Sequence, residues 1–112
     1  MLNYFEEERP NCLIVRFDGD IAGADEKDLR KMFVTLVKEG KYRVVADMSR
    51  VSFLDSIILG TFVWGMKNLR ESDGDMRMFG LHSFVLRLFD ITQLDRAFRI
   101  FATEDEAVAS YD

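Results

Sequence analysis

At 112 residues, 48% of them hydrophobic, the chain is long enough to bury a core of its own and too short for a second domain, so residues 1–112 are read as one unit. The formal net charge of −5, with no cluster of Lys and Arg anywhere, argues against a surface that neutralises nucleic-acid phosphates. No stretch approaches the roughly 20 uninterrupted apolar residues of a membrane span, and Met1 to Glu8 lacks a basic region followed by an apolar one. A soluble cytoplasmic protein, neither secreted nor membrane-inserted, is expected.

In chain order, two stretches with strand character, Leu2 to Glu7 and Cys12 to Asp18, flank Arg9-Pro10-Asn11, which predicts a hairpin turned at the lone proline. Cys12 has no second cysteine to pair with and sits in Cys12-Leu13-Ile14-Val15, so it reads as a small buried hydrophobe. After Gly19-Asp20 the period changes. Leu29, Met32, Phe33, Leu36 and Val37 repeat at i, i+3, i+4, i+7, i+8, the pattern of an amphipathic helix, which Gly40 ends. Tyr42 to Met48 is short, apolar and rich in valine, as expected of a central strand covered on both faces.

A loop through Val51-Ser52-Phe53-Leu54 leads to Asp55-Ser56 and a helical stretch from Ile57 to about Glu71, closed by Ser72-Asp73-Gly74. Met76 to Leu81 reads as a strand. Ser83 is placed to cap a helix with Phe84, Val85, Leu88 and Phe89 on its apolar side, and Phe98 to Phe101 as a last strand. Thr103-Glu104-Asp105-Glu106 is a capping-box pattern that opens a short terminal helix. Strands alternating with helices predict an α/β fold: a mixed, mostly parallel sheet of four to five strands, entered by an antiparallel hairpin and packed with about four helices.

The chain lacks a Gly-x-Ser-x-Gly elbow, a Walker loop and a dinucleotide fingerprint, and its one histidine, His82, has no second imidazole or thiol beside it in sequence. No catalytic residue, metal or cofactor is assigned, and an enzyme is not expected. Met32, Met48, Met66, Met76 and Met78 fall at interior positions and read as core filler. Asp18, Asp20, Asp47 and Asp55 lie near predicted strand ends, where open parallel sheets carry functional loops, although solvated turn carboxylates look the same in sequence.

The informative stretch is the helix after Asp55-Ser56. At about 100° per residue, Ile58, Leu59, Phe62, Met66 and Leu69 share the face that must be buried. The opposite face carries Gly60, Thr61, Lys67, Asn68 and Glu71 together with two large apolar residues, Ile57 and Trp64. Apolar side chains within a polar helix face suit a docking surface; cover by a neighbouring helix is the other reading of Trp64. Ser56 reads as the N-cap of this helix. A phosphate there would add roughly −1.5 to −2 charges, tolerated by the unpaired donors and positive dipole end of a helix N-terminus, but costly for a partner that must desolvate it beside Asp55.

Asp47-Met48-Ser49-Arg50-Val51-Ser52-Phe53-Leu54-Asp55-Ser56 resembles the signature of STAS domains of the anti-sigma factor antagonist group. Gly19-Asp20-Ile21 resembles that family's turn before its first helix, and Leu86 to Phe98, with Thr92-Gln93-Leu94-Asp95 inside, its C-terminal helix and the following segment. The likeness runs from about Cys12 to Ala109. It implies a phospho-switch: the unmodified antagonist captures an anti-sigma factor serine kinase and frees the sigma factor, phosphorylation of Ser56 releases the kinase, and a separate serine phosphatase resets the switch. It also implies a partner surface of Asp20, Asp55, Ser56, Ile57, Gly60, Thr61 and Trp64 on a monomer or weak dimer. Ile58 stands where family members often have Gly or Ala, and Ala22 where many have an acidic residue. The other reading is a constitutive STAS interaction module, a subunit of a larger signalling or transport complex in which Ser56 is only a cap.

Overall fold

The computed structural model describes residues 1–112. Strand β1 (Tyr4–Glu8) turns through Pro10 into β2 (Leu13–Asp18), and the two pair antiparallel with Tyr4 opposite Phe17 and Glu8 opposite Leu13. Helix α1 (Glu26–Lys38) then crosses to β3 (Arg43–Arg50), α2 (Ser56–Arg70) to β4 (Asp75–Phe79), and α3 (Ser83–Ile91) to β5 (Ile100–Phe101), before α4 (Glu104–Ala109). The sheet order is β1-β2-β3-β4-β5, with β2 to β5 parallel. Mixed sheet, hairpin entry and central β3 all agree with the expectation from sequence.

The period of two along each strand sorts side chains between two unequal layers. Leu13, Val15 and Phe17 of β2, Val44, Ala46 and Met48 of β3, and Met76 and Met78 of β4 join the main core with α1, α2 and α3. On the other face Cys12, Ile14, Val45 and Phe79 meet Ala107 of α4 in a small second cluster. Tyr111, just after α4, closes that layer: its hydroxyl donates toward the carbonyls of Val44 (2.7 Å) and Asp75 (2.8 Å), and its ring lies under the Arg77 guanidinium at 4.0 Å. The five methionines and Cys12 are buried, as read from their positions.

Gly40, expected to stop the first helix, does so at φ +74, a left-handed conformation in which a side chain would be strained. The capping box of α4 is complete: Thr103 Oγ1 accepts from Glu106 N–H, and Glu106 Oε1 accepts from Thr103 N–H, both at 3.2 Å. Three local expectations need correction. Ser83 is the first helical residue of α3 and caps nothing; the N-cap position falls to His82, whose backbone is extended and whose Nε2 instead lies 2.7 Å from the Ser49 carbonyl. Phe84 is not on the buried side of α3 but exposed. The last strand is only Ile100–Phe101, because Phe98 turns into the core to pack edge-on against Phe89 at 5.4 Å.

Candidate functional site: the mouth of helix α2

Two loops at the C-terminal ends of the parallel strands build the site. The loop after β2 is laced to the loop after β3 by backbone bonds from Gly19 N–H to Arg50 O (3.0 Å) and from Ile21 N–H to Phe53 O (3.1 Å), with Ile21 bridged to Leu54. Gly19 makes this possible at φ +91. Asp20 is exposed beyond that turn and its Oδ1 accepts from Ser52 Oγ at 3.1 Å.

Asp55, not Ser56, is the N-cap of α2. Its backbone is extended, and its Oδ1 accepts from Ile58 N–H at 3.0 Å. Oδ2 accepts from Gly23 N–H at 2.7 Å, 32 residues back in the chain. One carboxylate therefore both starts the helix and pins the turn before α1 against it. Ser56, the first helical residue, is left exposed with no capping duty.

Ile57 is 58% exposed, with its Cδ1 over Gly23, where a Cβ would approach it to 3.3 Å. Gly60, one turn on, is exposed and has open space above it. Thr61 departs from the expected surface. It is 3% exposed and its hydroxyl donates back to Ile57 O at 3.2 Å, so a partner cannot touch it directly. The reason is lateral: α1 packs against α2 as well as the sheet does, so Thr61 and Gly65 are buried along with Ile58, Leu59, Phe62, Met66 and Leu69. Trp64 lies at the edge of this contact, half-buried, with Phe33 edge-on at 6.4 Å and the Arg30 guanidinium 4.3 Å above its ring. Cover by a neighbouring helix is observed in part: α1 lies against the indole, and Trp64 keeps some exposure to solvent.

The structure adds an aromatic pair that the helical pattern hid. Phe53 and Phe84 stack at 5.5 Å with rings 24° apart, both exposed, so the start of α3 is joined to the loop that presents Asp55-Ser56. A phenylalanine in the loop between Ser52 and Leu54 was the one available signal. The arrangement offers a nucleophilic hydroxyl with no base beside it, exposed apolar side chains on either side, and a helix dipole beneath. No helix is long and apolar enough to cross a membrane.

The mouth of α2 is thus an exposed, partly apolar surface with one serine hydroxyl that the fold does not use. The family model for the STAS domain matches residues 6–107, and the chain belongs to that family. It is 32% identical over 80 residues to an anti-sigma-B factor antagonist of Staphylococcus epidermidis, covering 71% of this chain and 74% of that one. Among solved structures, a putative anti-sigma factor antagonist from Thermotoga maritima superposes with a TM-score of 0.91 at 22% identity, over 96% of this chain and 93% of that one. The Bacillus cell fate determinant SpoIIAA in its phosphorylated form superposes with a TM-score of 0.75 at 20% identity, over 98% and 100%. Anti-sigma factor antagonists are non-enzymatic regulators.

Proposed function

We propose that this chain is a cytoplasmic anti-sigma factor antagonist whose unphosphorylated form binds an anti-sigma factor serine kinase through Asp20, Asp55, Ser56, Ile57, Gly60 and Trp64, and that phosphorylation of Ser56 releases the kinase. A serine phosphatase restores the binding form. The observation that carries this reading is the division of labour at the start of α2: Asp55 supplies the cap, so Ser56 is exposed and expendable to the fold, beside an exposed Ile57. A phosphate on Ser56 stands at the dipole-positive end of a 15-residue helix, so the fold tolerates it. A docked partner does not, since it would bury a dianion next to a carboxylate whose two oxygens already have donors. Relatives named as anti-sigma factor antagonists, and a phosphorylated form among the solved structures of this fold, support the same assignment.

The test is the affinity of the source organism's anti-sigma factor kinase for wild-type, Ser56→Ala and Ser56→Asp protein. Ser56→Ala is expected to bind like wild type and Ser56→Asp at least about tenfold more weakly, roughly 1.4 kcal/mol. Equal binding by both variants, together with an intact mass that gains no phosphate after incubation with kinase and ATP, would instead make this a constitutive assembly module.

A further inference from the structure

Beyond the mouth of α2, a groove of about 270 Å³ runs between α1 and α2, with Val34, Val37 and Trp64 as its apolar walls and Lys38 and Asn68 at its edge. We propose that this groove is a second contact site for the same kinase, and that its occupant is an acidic, amphipathic segment of that partner that inserts an apolar side chain between the two helices. The inference rests on the kinase-binding reading above and extends it from the phosphorylatable end of α2 along the helix.

Position supports it first. Ile57, Gly60, Trp64 and Asn68 follow the helical repeat, so they form one track along α2. Trp64 stands roughly 12 Å from Ser56 at 1.5 Å per residue. Gly60 leaves the middle of that track open, with no atom near the place a side chain would occupy. A partner segment lying over Ser56 and Ile57 therefore reaches the groove without crossing an obstacle.

Charge selects the occupant. The chain carries a net charge of −5, yet α2 contains no acidic residue and has Lys67 in its last turn, Arg70 there being paired with Asp75 at 2.9 Å. The groove is lined by Lys38 and no carboxylate, and Arg30, held over the indole, marks its other end. Arg30 is itself paired with Glu26 at 2.8 Å, so Lys38 is the cation the groove offers. An apolar slot edged by a lysine and by no carboxylate, on an otherwise acidic molecule, is complementary to an apolar side chain flanked by Asp or Glu. Phe33 forms the floor edge-on to Trp64, which gives the inserted group a rigid aromatic seat.

Val34 is 41% exposed and Lys38 is exposed, so both can be changed without opening the core. The experiment compares kinase affinity of wild-type, Val34→Glu and Lys38→Glu protein, and follows the fluorine resonance of 5-fluorotryptophan at Trp64, the chain's one tryptophan, as kinase is added. Expected are at least about tenfold weaker binding by Val34→Glu, several-fold weaker binding with a shallower salt dependence by Lys38→Glu, and a shifted Trp64 resonance in the wild-type complex. Wild-type affinity in both variants with an unmoved resonance overturns the groove while leaving the Ser56 reading intact, and wild-type affinity in Lys38→Glu alone overturns the acidic occupant. Failure of wild-type protein to bind the kinase at all overturns the underlying reading and the groove with it. A dimer of the chain alone that Val34→Glu dissolves also overturns the proposal, because the groove is then a contact between two copies.

Discussion

The face of the sheet under α4 and the mouth of α2 use charge in opposite ways. Under α4, Arg16 donates to Asp47 (2.8 Å), Glu104 (2.8 Å) and Glu7 (3.1 Å), and Arg9 joins Glu7 to Glu104, so five charged side chains tie β1, β2, β3 and α4 together. Asp47 is only 8% exposed and also accepts from the Ser49 hydroxyl and amide. At the mouth of α2 the one carboxylate in the fold-forming role, Asp55, is met by two backbone amides, and around it lie Ser56, Ile57, Phe53 and Gly60 without a paired cation. A compensated charge cluster holds architecture and responds little to one more charge nearby. A neutral, partly apolar surface is where adding a phosphate changes most.

Arg16→Leu attacks the first region hardest. It leaves Asp47 with the Ser49 donors alone and Glu104 of α4 with Arg9 alone, for an expected loss of about 2–3 kcal/mol in urea unfolding. Kinase affinity should be unchanged, and a parallel fall in affinity would show that the two regions are not separate. Asp55→Ala should cost about 1–2 kcal/mol, since it removes the cap of α2 and the Gly23 acceptor together. Amide exchange should quicken first at Gly23 and Ile58, and uniform quickening across the sheet would contradict the local role assigned to this carboxylate.

Acid separates the regions more gently. Burial pushes the Asp47 carboxyl up, but the Ser49 hydroxyl and amide and the Arg16 guanidinium outweigh it and hold the group below the ordinary value of 3.8. A carboxyl depressed in the folded state stabilises the fold above its unfolded value, and that contribution is lost as pH falls through the lower folded value. The urea midpoint should therefore drop from about pH 5 downward, and Asp47→Asn should flatten part of that slope. Gly60→Ala is the smallest change expected and has the opposite sign. The new methyl group meets open space on a helix, so thermal stability should rise by about 0.5–1 kcal/mol. A loss instead would mean that Gly60 is constrained by the fold rather than left bare for a partner.

Local spacing carried most of the architecture. Hydrophobic periods of about 3.6 and 2 separated helices from strands, glycines and Pro10 marked where they stop, and the buried face of α2 followed from the angles of Ile58, Leu59, Phe62, Met66 and Leu69, because burial against a sheet leaves a periodic trace. The Thr103 capping box was equally legible, its bonds joining residues three apart. What spacing left out involves partners distant in the chain. Thr61 is buried and Trp64 half-covered because α1 lies beside α2, a second neighbour that a single helical wheel does not contain. Asp55 caps α2 through a bond to the Ile58 amide only three residues on, but its other oxygen is claimed by the Gly23 amide 32 residues away. Arg16 finds its three carboxylates on three other elements. The chain alone thus determined the order and kind of the elements and that Asp55-Ser56 opens a helix. Only tertiary packing decided that the same carboxylate also pins the turn before α1, since a hydrogen-bond donor brought in from another loop is invisible to the local pattern.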